Sequence, residues 1–366
     1  MNVKENYIDV KIQTSMMEKI QPLTSKISSG SEKKLIEDFW RKATRYFGII
    51  YGLEEALEKG DIGEAVASDI LIRETDIILP EGKELEEAIN NSDHMKTVKR
   101  IFRECVIPLG IKSRIVKHAF TKPSGYAGDF GLIEIIYDNK ILSDKIGYCI
   151  DRRFQLDDYA RAVRSRKDKM KDILADFIKS APGERKNILN IACGSCREIK
   201  EMFEENTFDT SKSISFTLMD QDKDALDFSL NVLKKSPSTV EYRTQCNSVY
   251  DYIKNPDMYR GQLFGQDLVY TIGLADYIPE PALKSLILFM YSLLNPGGKL
   301  VIAHKDSKNF SPLAADWWCD WTFHLRNEPE TISLVKSSGI KDFDLSVKRE
   351  TETNIIFFMI IEKKKQ

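Results

Sequence analysis

From residue 187 to residue 304 the chain alternates short β-branched runs with helically spaced ones, and no such alternation occurs before residue 180. Strand-like runs cover 187–193, 214–220, 240–246, 266–272 and 299–304. Helical spacing covers 196–205, 223–235 and 281–294. Strands that alternate with helices form a parallel sheet whose crossovers pack on its faces. Two closing runs, 344–348 and 354–361, have no helix between them. They predict an antiparallel hairpin at one edge. The expected fold class is α/β with a Rossmann-like sheet, joined to a helical N-terminal domain.

The N-terminal part reads differently. Leu35, Phe39, Ala43, Tyr46, Phe47, Ile50 and Leu53 recur at helical spacing and predict a helix over 31–59. Ser29 with Glu32 fits a capping box, and Gly60 fits a stop. Helical patterns also cover 62–79 and 83–105, with Pro80 and Gly82 between them, and 111–121, which stops before Pro123. The polar first thirty residues read as a loosely held arm. A basic helix, 158–179, carries Arg161, Arg164, Arg166, Lys167, Lys169 and Lys171, and residues 181–183 end it. A length of 366 residues suits two domains. The expected division is a helical substrate or lid domain over 1–150 and an α/β domain over 151–366.

Charge narrows the partners. Lys and Arg number 54 and Asp and Glu 56, for a net charge of −2. That balance argues against a dedicated nucleic-acid binder and for a small-molecule partner. Six cysteines are too few for a disulfide scaffold and fit a reducing compartment. The N-terminus has no apolar signal region, and no run is long enough to span a membrane. A cytoplasmic protein without membrane partners is expected; a homodimer is one of the assemblies left open.

The chemistry concentrates where the first strand, 187–193, enters Gly194-Ser-Cys196. A tight turn of small residues at a helix start lets backbone amides approach a ligand, and Gly194 reaches conformations closed to other residues. In open α/β sheets ligands sit beyond the carboxyl ends of the strands. Asp220 ends the second strand, with Gln221 beside it, where an acid can accept from ribose hydroxyls. Asn247 and Ser248 end the third, where a polar side chain can reach an adenine edge. A dinucleotide fingerprint needs Gly-x-Gly-x-x-Gly, which is absent. Cys193 and Cys196 have the spacing of a redox or metal pair. A metal needs further ligands, and His94, His118, His304 and His324 show no ligand spacing, so none is expected.

The ordered set resembles the class I S-adenosylmethionine-dependent methyltransferases. Asn190-Ile-Ala192-Cys-Gly194-Ser-Cys196 lies in register with their Asp/Glu-x-Gly-x-Gly-x-Gly motif, with Asn190 in place of the acid and Ala192 and Cys196 in place of the outer glycines. Residues 267–277 resemble the fourth-strand motif, and 293–302 the turn into strand five. Residues 122–130, 192–198, 273–277 and 316–321 resemble a bacterial subfamily of 3-hydroxy fatty acid methyl ester biosynthesis. The resemblance implies a methyltransferase sheet and S-adenosyl-L-methionine as cofactor, held by Ala192, Gly194, Asp220, Gln221, Asn247, Ser248 and Gly273. Arg164 or Arg166 would pair with its carboxylate. Tyr126, Tyr277, Trp318, Trp321 and Arg326 are the candidate substrate residues.

An oxygen acceptor, a carboxylate or hydroxyl of an acyl-type metabolite, is the expected substrate. A carboxylate needs no base; a hydroxyl needs one, for which His304 and Asp129 are the candidates. No Asn/Asp-Pro-Pro-Tyr follows strand four, which argues against nucleobase or glutamine amines. Two other readings stand beside this one. One is a protein or RNA methyltransferase that docks its substrate on the helical domain. The other is a non-catalytic cofactor-binding module, suggested by Asn190, Ala192 and Cys196.

Overall fold

The computed structural model describes residues 8–180, 185–205 and 213–365. Its helices begin with α1 (Val10–Thr24), α2 (Gly30–Lys59), α3 (Glu64–Ala88), α4 (Ser92–Gly110), α5 (Arg114–Thr121), α6 (Phe130–Asp138), α7 (Lys145–Leu156) and α8 (Asp158–Ser180). Then come β1 (Arg185–Ile191), α9 (Arg197–Glu205), β2 (Ser213–Asp220), α10 (Lys223–Val232), β3 (Val240–Cys246), α11 (Val249–Lys254), α12 (Pro256–Leu263) and β4 (Gln266–Thr271). The chain closes with α13 (Glu280–Ser292), β5 (Leu294–Lys305), α14 (Leu313–Cys319), α15 (Glu328–Lys336), β6 (Phe343–Arg349) and β7 (Ile356–Lys363).

Contacts divide the chain into two units. The first holds the residues through Asp157 together with Pro312–Thr322, and the second holds Asp158–Ser311 and Phe323 onward. The division falls after 157 rather than 150, and the α14 segment, assigned from sequence to the α/β domain, packs with the helices instead.

In the helical unit α2 carries the main apolar stripe. Ser29 Oγ accepts from Glu32 N at 3.3 Å and caps it. The stripe runs through Ile36, Phe39, Trp40, Ala43, Phe47 and Ile50, whereas Leu35 is 40% exposed. The expected N-terminal arm is a helix over its described part: Met16, Ile20 and Leu23 of α1 are buried, and Trp40 Nε1 donates to Met16 O at 2.8 Å. Helix α3 runs through Pro80 and Gly82 without stopping. Packing explains why the chain has glycine there: a Cβ on Gly82 would lie 2.8 Å from the Trp317 ring. The break falls instead at Asn91, whose side chain accepts from Asp93 N and His94 N and starts α4. The helix stop expected at 181–183 lies outside the described residues.

Trp317 of α14 is the pin of this unit. Its ring lies 5.3 Å from Phe39 and 5.1 Å, edge-on, from Phe102. Its Nε1 donates to Glu86 at 2.5 Å, and the adjacent Asp316 pairs with Lys99 at 2.5 Å. Truncating a buried tryptophan leaves a cavity as well as lost transfer energy. Trp317→Ala is therefore expected to lower the unfolding free energy by about 3–5 kcal/mol, read as a shifted urea midpoint.

The second unit is built on one seven-stranded sheet in the order β3-β2-β1-β4-β5-β7-β6. β1, β2, β3, β4 and β5 pair in parallel; β7 pairs antiparallel with both β5 and β6. The closing hairpin is thus at the edge, with β7 on its inner side. This is a Rossmann-like α/β sheet, the fold class expected from the sequence. Alternate residues of its strands face opposite sides. Leu189, Ile191, Val269, Leu300 and Ile302 face a core shared with α11, α13 and α15. The chain goes outward from β1 to β3 and returns to β4, so the order reverses between β1 and β4. That crevice is where ligands bind in such sheets.

Candidate functional site

The loop after β1 has a backbone that few residues tolerate. Ala192, Gly194 and Cys196 have φ of 54°, 55° and 52°, all left-handed. At the two outer glycine positions of the motif that the loop resembles, Ala192 and Cys196 thus adopt glycine's conformation without being glycine. Each such residue stores about 1 kcal/mol. Hydrogen bonds hold the loop in place. Cys193 N donates to Met219 O at 3.0 Å, and Cys196 N donates to Cys193 O at 3.2 Å. Ser229 Oγ donates to Gly194 O at 2.6 Å. Ala192→Gly is expected to raise stability by about 1 kcal/mol, measured as a higher denaturation midpoint, because the strain goes while the loop's contacts stay.

Asp220 meets this loop from the end of β2. Its Oδ2 accepts from Gly194 N at 2.9 Å and its Oδ1 from Asp222 N at 3.0 Å. Burial raises its carboxyl above the usual value, against the pull of those amides. Gln221 is exposed beside it. Asn247 N donates to Asp220 O at 3.1 Å, which brings the end of β3 alongside. Asn247 Oδ1 accepts from Tyr252 OH at 3.4 Å. Ser248 caps α11 through its hydroxyl, reciprocated by Asp251. Ala192, Gly194, Asp220, Gln221, Asn247 and Ser248 are therefore gathered at one sheet edge.

Under the loop lies a group the sequence reading did not single out. Glu198, in the first turn of α9, is 2% exposed. Its Oε1 accepts from Asn190 Nδ2 at 3.1 Å and from Tyr270 OH at 2.8 Å. Asn190 and Tyr270 are register partners across β1 and β4. Asn190 Oδ1 and Thr271 Oγ1 are buried at these strand ends with no hydrogen-bond partner. Of the two arginines, Arg166 is buried, and its guanidinium lies 3.6 Å from where a Cβ on Gly273 would stand. Arg164 is only half-buried, and burial lowers its pKa against the opposing charge of Glu352. The Arg166 guanidinium thus lies beside Gly273, beyond the end of β4.

A buried polar hub occupies the end of β5. Asp276, in the turn after β4, accepts at Oδ1 from Lys305 N at 2.9 Å and pairs through Oδ2 with Lys305 Nζ at 2.5 Å. His304 Nδ1 also meets its Oδ1. Burial alone would push the Asp276 carboxyl up, but the Lys305 charge and the His304 contact outweigh it and hold it well below the usual carboxylate range. Lys305 Nζ sits in an aromatic box, 4.3 Å from the Phe323 centroid, 5.2 Å from Tyr159 and 5.6 Å from Tyr277. Burial pulls the Lys305 ammonium below the ordinary lysine value, against Asp276.

This hub corrects two expectations. His304 is fully buried, and Arg326 Nη1 lies 3.3 Å from its Nε2. An arginine only donates, so Nε2 is an acceptor and Nδ1 carries the proton given to Asp276. Neither nitrogen is left to take a proton from a substrate. Arg326 is spent on the backbone, donating to Ile278 O at 2.8 Å and His324 O at 3.2 Å. It braces the segment rather than awaiting a substrate anion. Tyr277 is half-buried, forms one side of the box around Lys305 and is hydrogen-bonded to Tyr159.

The other candidates lie in the helical unit. Asp129 is the N-cap of α6, accepting from Leu132 N at 2.9 Å, Ser124 N at 3.4 Å and His118 Nε2 at 2.7 Å. Burial would raise its carboxyl, but those donors bring it below the usual value, so it is a fold anchor and a poor base. Trp318 is buried edge-on to Phe154, 5.8 Å away, and Trp321 is also buried. Trp318 is packed inside that unit. Tyr126 is half-buried in the Gly125–Gly128 turn.

Solved structures that the chain resembles include methyltransferases. A magnesium protoporphyrin IX methyltransferase from Synechocystis PCC 6803, solved with S-adenosylmethionine, aligns at 8% identity over 57% of this chain and 86% of its own, with a TM-score of 0.40. An N-methyltransferase from Bradyrhizobium japonicum WM9 aligns at 12% identity over 54% of this chain and 97% of its own, with a TM-score of 0.38. A possible exported protein from Bordetella parapertussis aligns at 14% identity over 64% and 79%, with a TM-score of 0.48. No family model and no curated protein matches the chain. The fold assignment rests on the strand order itself. No described helix is long and apolar enough to cross a membrane.

Asp276 and Glu198 fall within the segments 273–277 and 192–198 that carry the resemblance, but neither they nor Lys305 were given a role, because a single charge has no periodicity to mark it. The signal available was a charged residue inside or beside an apolar strand: Lys305 ends the run Leu300–His304, where a solvated lysine has no place.

Proposed function

We propose that the chain is an S-adenosylmethionine-dependent methyltransferase acting on an oxygen of a small acyl-type metabolite. The observation that carries the reading is the left-handed loop of 192–196 tied to the buried Asp220 carboxylate at the carboxyl edge of this sheet. The residues fit the cofactor's chemistry. Asp220 offers acceptors to two ribose hydroxyls, Asn247 flanks the adenine side, and Arg166 beside Gly273 suits the cofactor's carboxylate. When bound, that cofactor supplies a methyl group activated by a sulfonium charge.

The protein's part is alignment and exclusion of water. Tyr159, Tyr277, Phe310 and Phe323 make a dry wall, with Phe310 and Phe323 each within 5.7 Å of Tyr159. Lys305 lies in that wall but is neutralised by its pairing with Asp276, so it offers no free charge to a substrate. His304 and Asp129 are both engaged elsewhere, so a hydroxyl acceptor would lack the base it needs. A carboxylate requires none. These points support esterification of a carboxylate over etherification of a hydroxyl, and the motif resemblance to 3-hydroxy fatty acid methyl ester biosynthesis supports the same choice.

The test is transfer of labelled methyl from the cofactor to a panel of acyl carboxylates, hydroxy acids, RNA and protein. Base-labile label in small carboxylates is expected. Label confined to RNA or protein would overturn the acceptor class and favour docking on the helical unit.

A further inference from the structure

We propose that Glu198 supplies, from helix α9, the buried negative charge of the cofactor site that strand β1 lacks at Asn190. This rests on the S-adenosylmethionine reading and goes beyond it, since the Asp/Glu-x-Gly-x-Gly-x-Gly motif places its acid at position 190 and gives no role to position 198.

The cofactor carries two positive groups, an ammonium and a sulfonium, against one carboxylate. A site for it is stabilised by a fixed anion near the loop, and such an anion acts strongly where water is excluded. Glu198 has the required placement. It is buried in the first turn of a nine-residue helix, where the helix dipole favours a carboxylate. Its Oε1 is held by Asn190 and Tyr270, the register pair that flanks the β1–β4 crevice. A carboxylate fixed by two strands at the reversal point is oriented, not merely buried.

The same contact explains why residue 190 is not an acid. An aspartate there would face Glu198 across the 3.1 Å now bridged by Asn190 Nδ2. Two carboxylates at that distance cannot both ionise. The asparagine keeps its amide toward Glu198 although its own Oδ1 is left without a partner. An unsatisfied buried oxygen is costly, so the contact with Glu198 governs the side chain. The charge is therefore present once, and it has moved from the strand to the helix.

The prediction is a charge swap. Glutamine at 198 keeps an acceptor oxygen for Asn190 and Tyr270, so Glu198→Gln removes charge with little loss of packing. By calorimetric titration with S-adenosylmethionine, Glu198→Gln is expected to bind at least tenfold more weakly than the unaltered chain. Asn190→Asp combined with Glu198→Gln returns the charge to the strand and is expected to recover affinity to within about threefold. Thermal midpoints of the ligand-free variants are read alongside. Unchanged affinity in Glu198→Gln, with or without a lowered midpoint, marks a structural residue and overturns the proposal. A double variant that folds yet binds no better than Glu198→Gln overturns it too. Failure of the unaltered chain to bind overturns the cofactor reading itself, a result distinct from either.

Discussion

Asp220→Ala is expected to weaken S-adenosylmethionine binding about a hundredfold while leaving the chain folded. The carboxylate is buried at the end of β2 and already accepts from Gly194 N and Asp222 N. Its lone pairs are therefore aimed across the loop, in the direction a ribose would lie. A hydrogen bond to a charged group contributes about 1.5–3 kcal/mol. Losing the pair made to two hydroxyls, after allowing for water that refills the space, leaves a deficit of roughly 3 kcal/mol, which is the hundredfold change. Asp220→Asn keeps the acceptor geometry on one side and is expected to fall between the two. Titration calorimetry reads both variants; an alanine variant with unaltered affinity would show that the ribose is not held here.

The second large effect is on stability. Asp276→Ala is expected to cost about 3–5 kcal/mol, because it strands the Lys305 ammonium in an aromatic box without its counter-ion. Lys305 is 1% exposed and cannot reach water by a rotamer change. Adding Lys305→Met removes the stranded charge and is expected to restore most of the loss, so the two substitutions are strongly non-additive. The sign with pH follows from the depressed Asp276 carboxyl. Its folded value lies below the unfolded one, near 3.9. Its contribution is complete above that unfolded value and is lost as pH falls below it toward the folded value. Urea midpoints measured from pH 6 down to pH 3 check this. The unaltered chain should lose stability more steeply than the double variant at the acid end; equal slopes would mean that Asp276 is not the group responsible.

How far the sequence reading reached depended on the kind of signal. β1, β2, β3 and β4 were legible because each is a β-branched run bounded by polar turns, and the closing hairpin because two runs lacked a helix between them. Helix α1 was missed because only Met16, Ile20 and Leu23 mark its buried face. Pro80 and Gly82 were misread as a break, because the need for glycine at 82 is set by Trp317, more than two hundred residues away. Helices α11 and α12 were too short to show a period. At the site, Gly194 and Asp220 were found from their positions at strand ends. The changes at Ala192 and Cys196 looked like departures from the motif, yet their backbone follows it. His304 was chosen for its residue type, and only the structure shows Arg326 and Asp276 closing both of its nitrogens. Glu198 escaped because the motif directs attention to position 190, eight residues earlier.

The central claim is that the 192–196 loop and Asp220 form a site for S-adenosylmethionine. Calorimetric titration of the full chain with that cofactor tests it most directly. Saturable binding with one site per chain, lost in large part in Asp220→Ala, is the predicted result. No saturable heat at about 1 mM cofactor, a limit of roughly −4 kcal/mol, from a chain shown to be folded would contradict it.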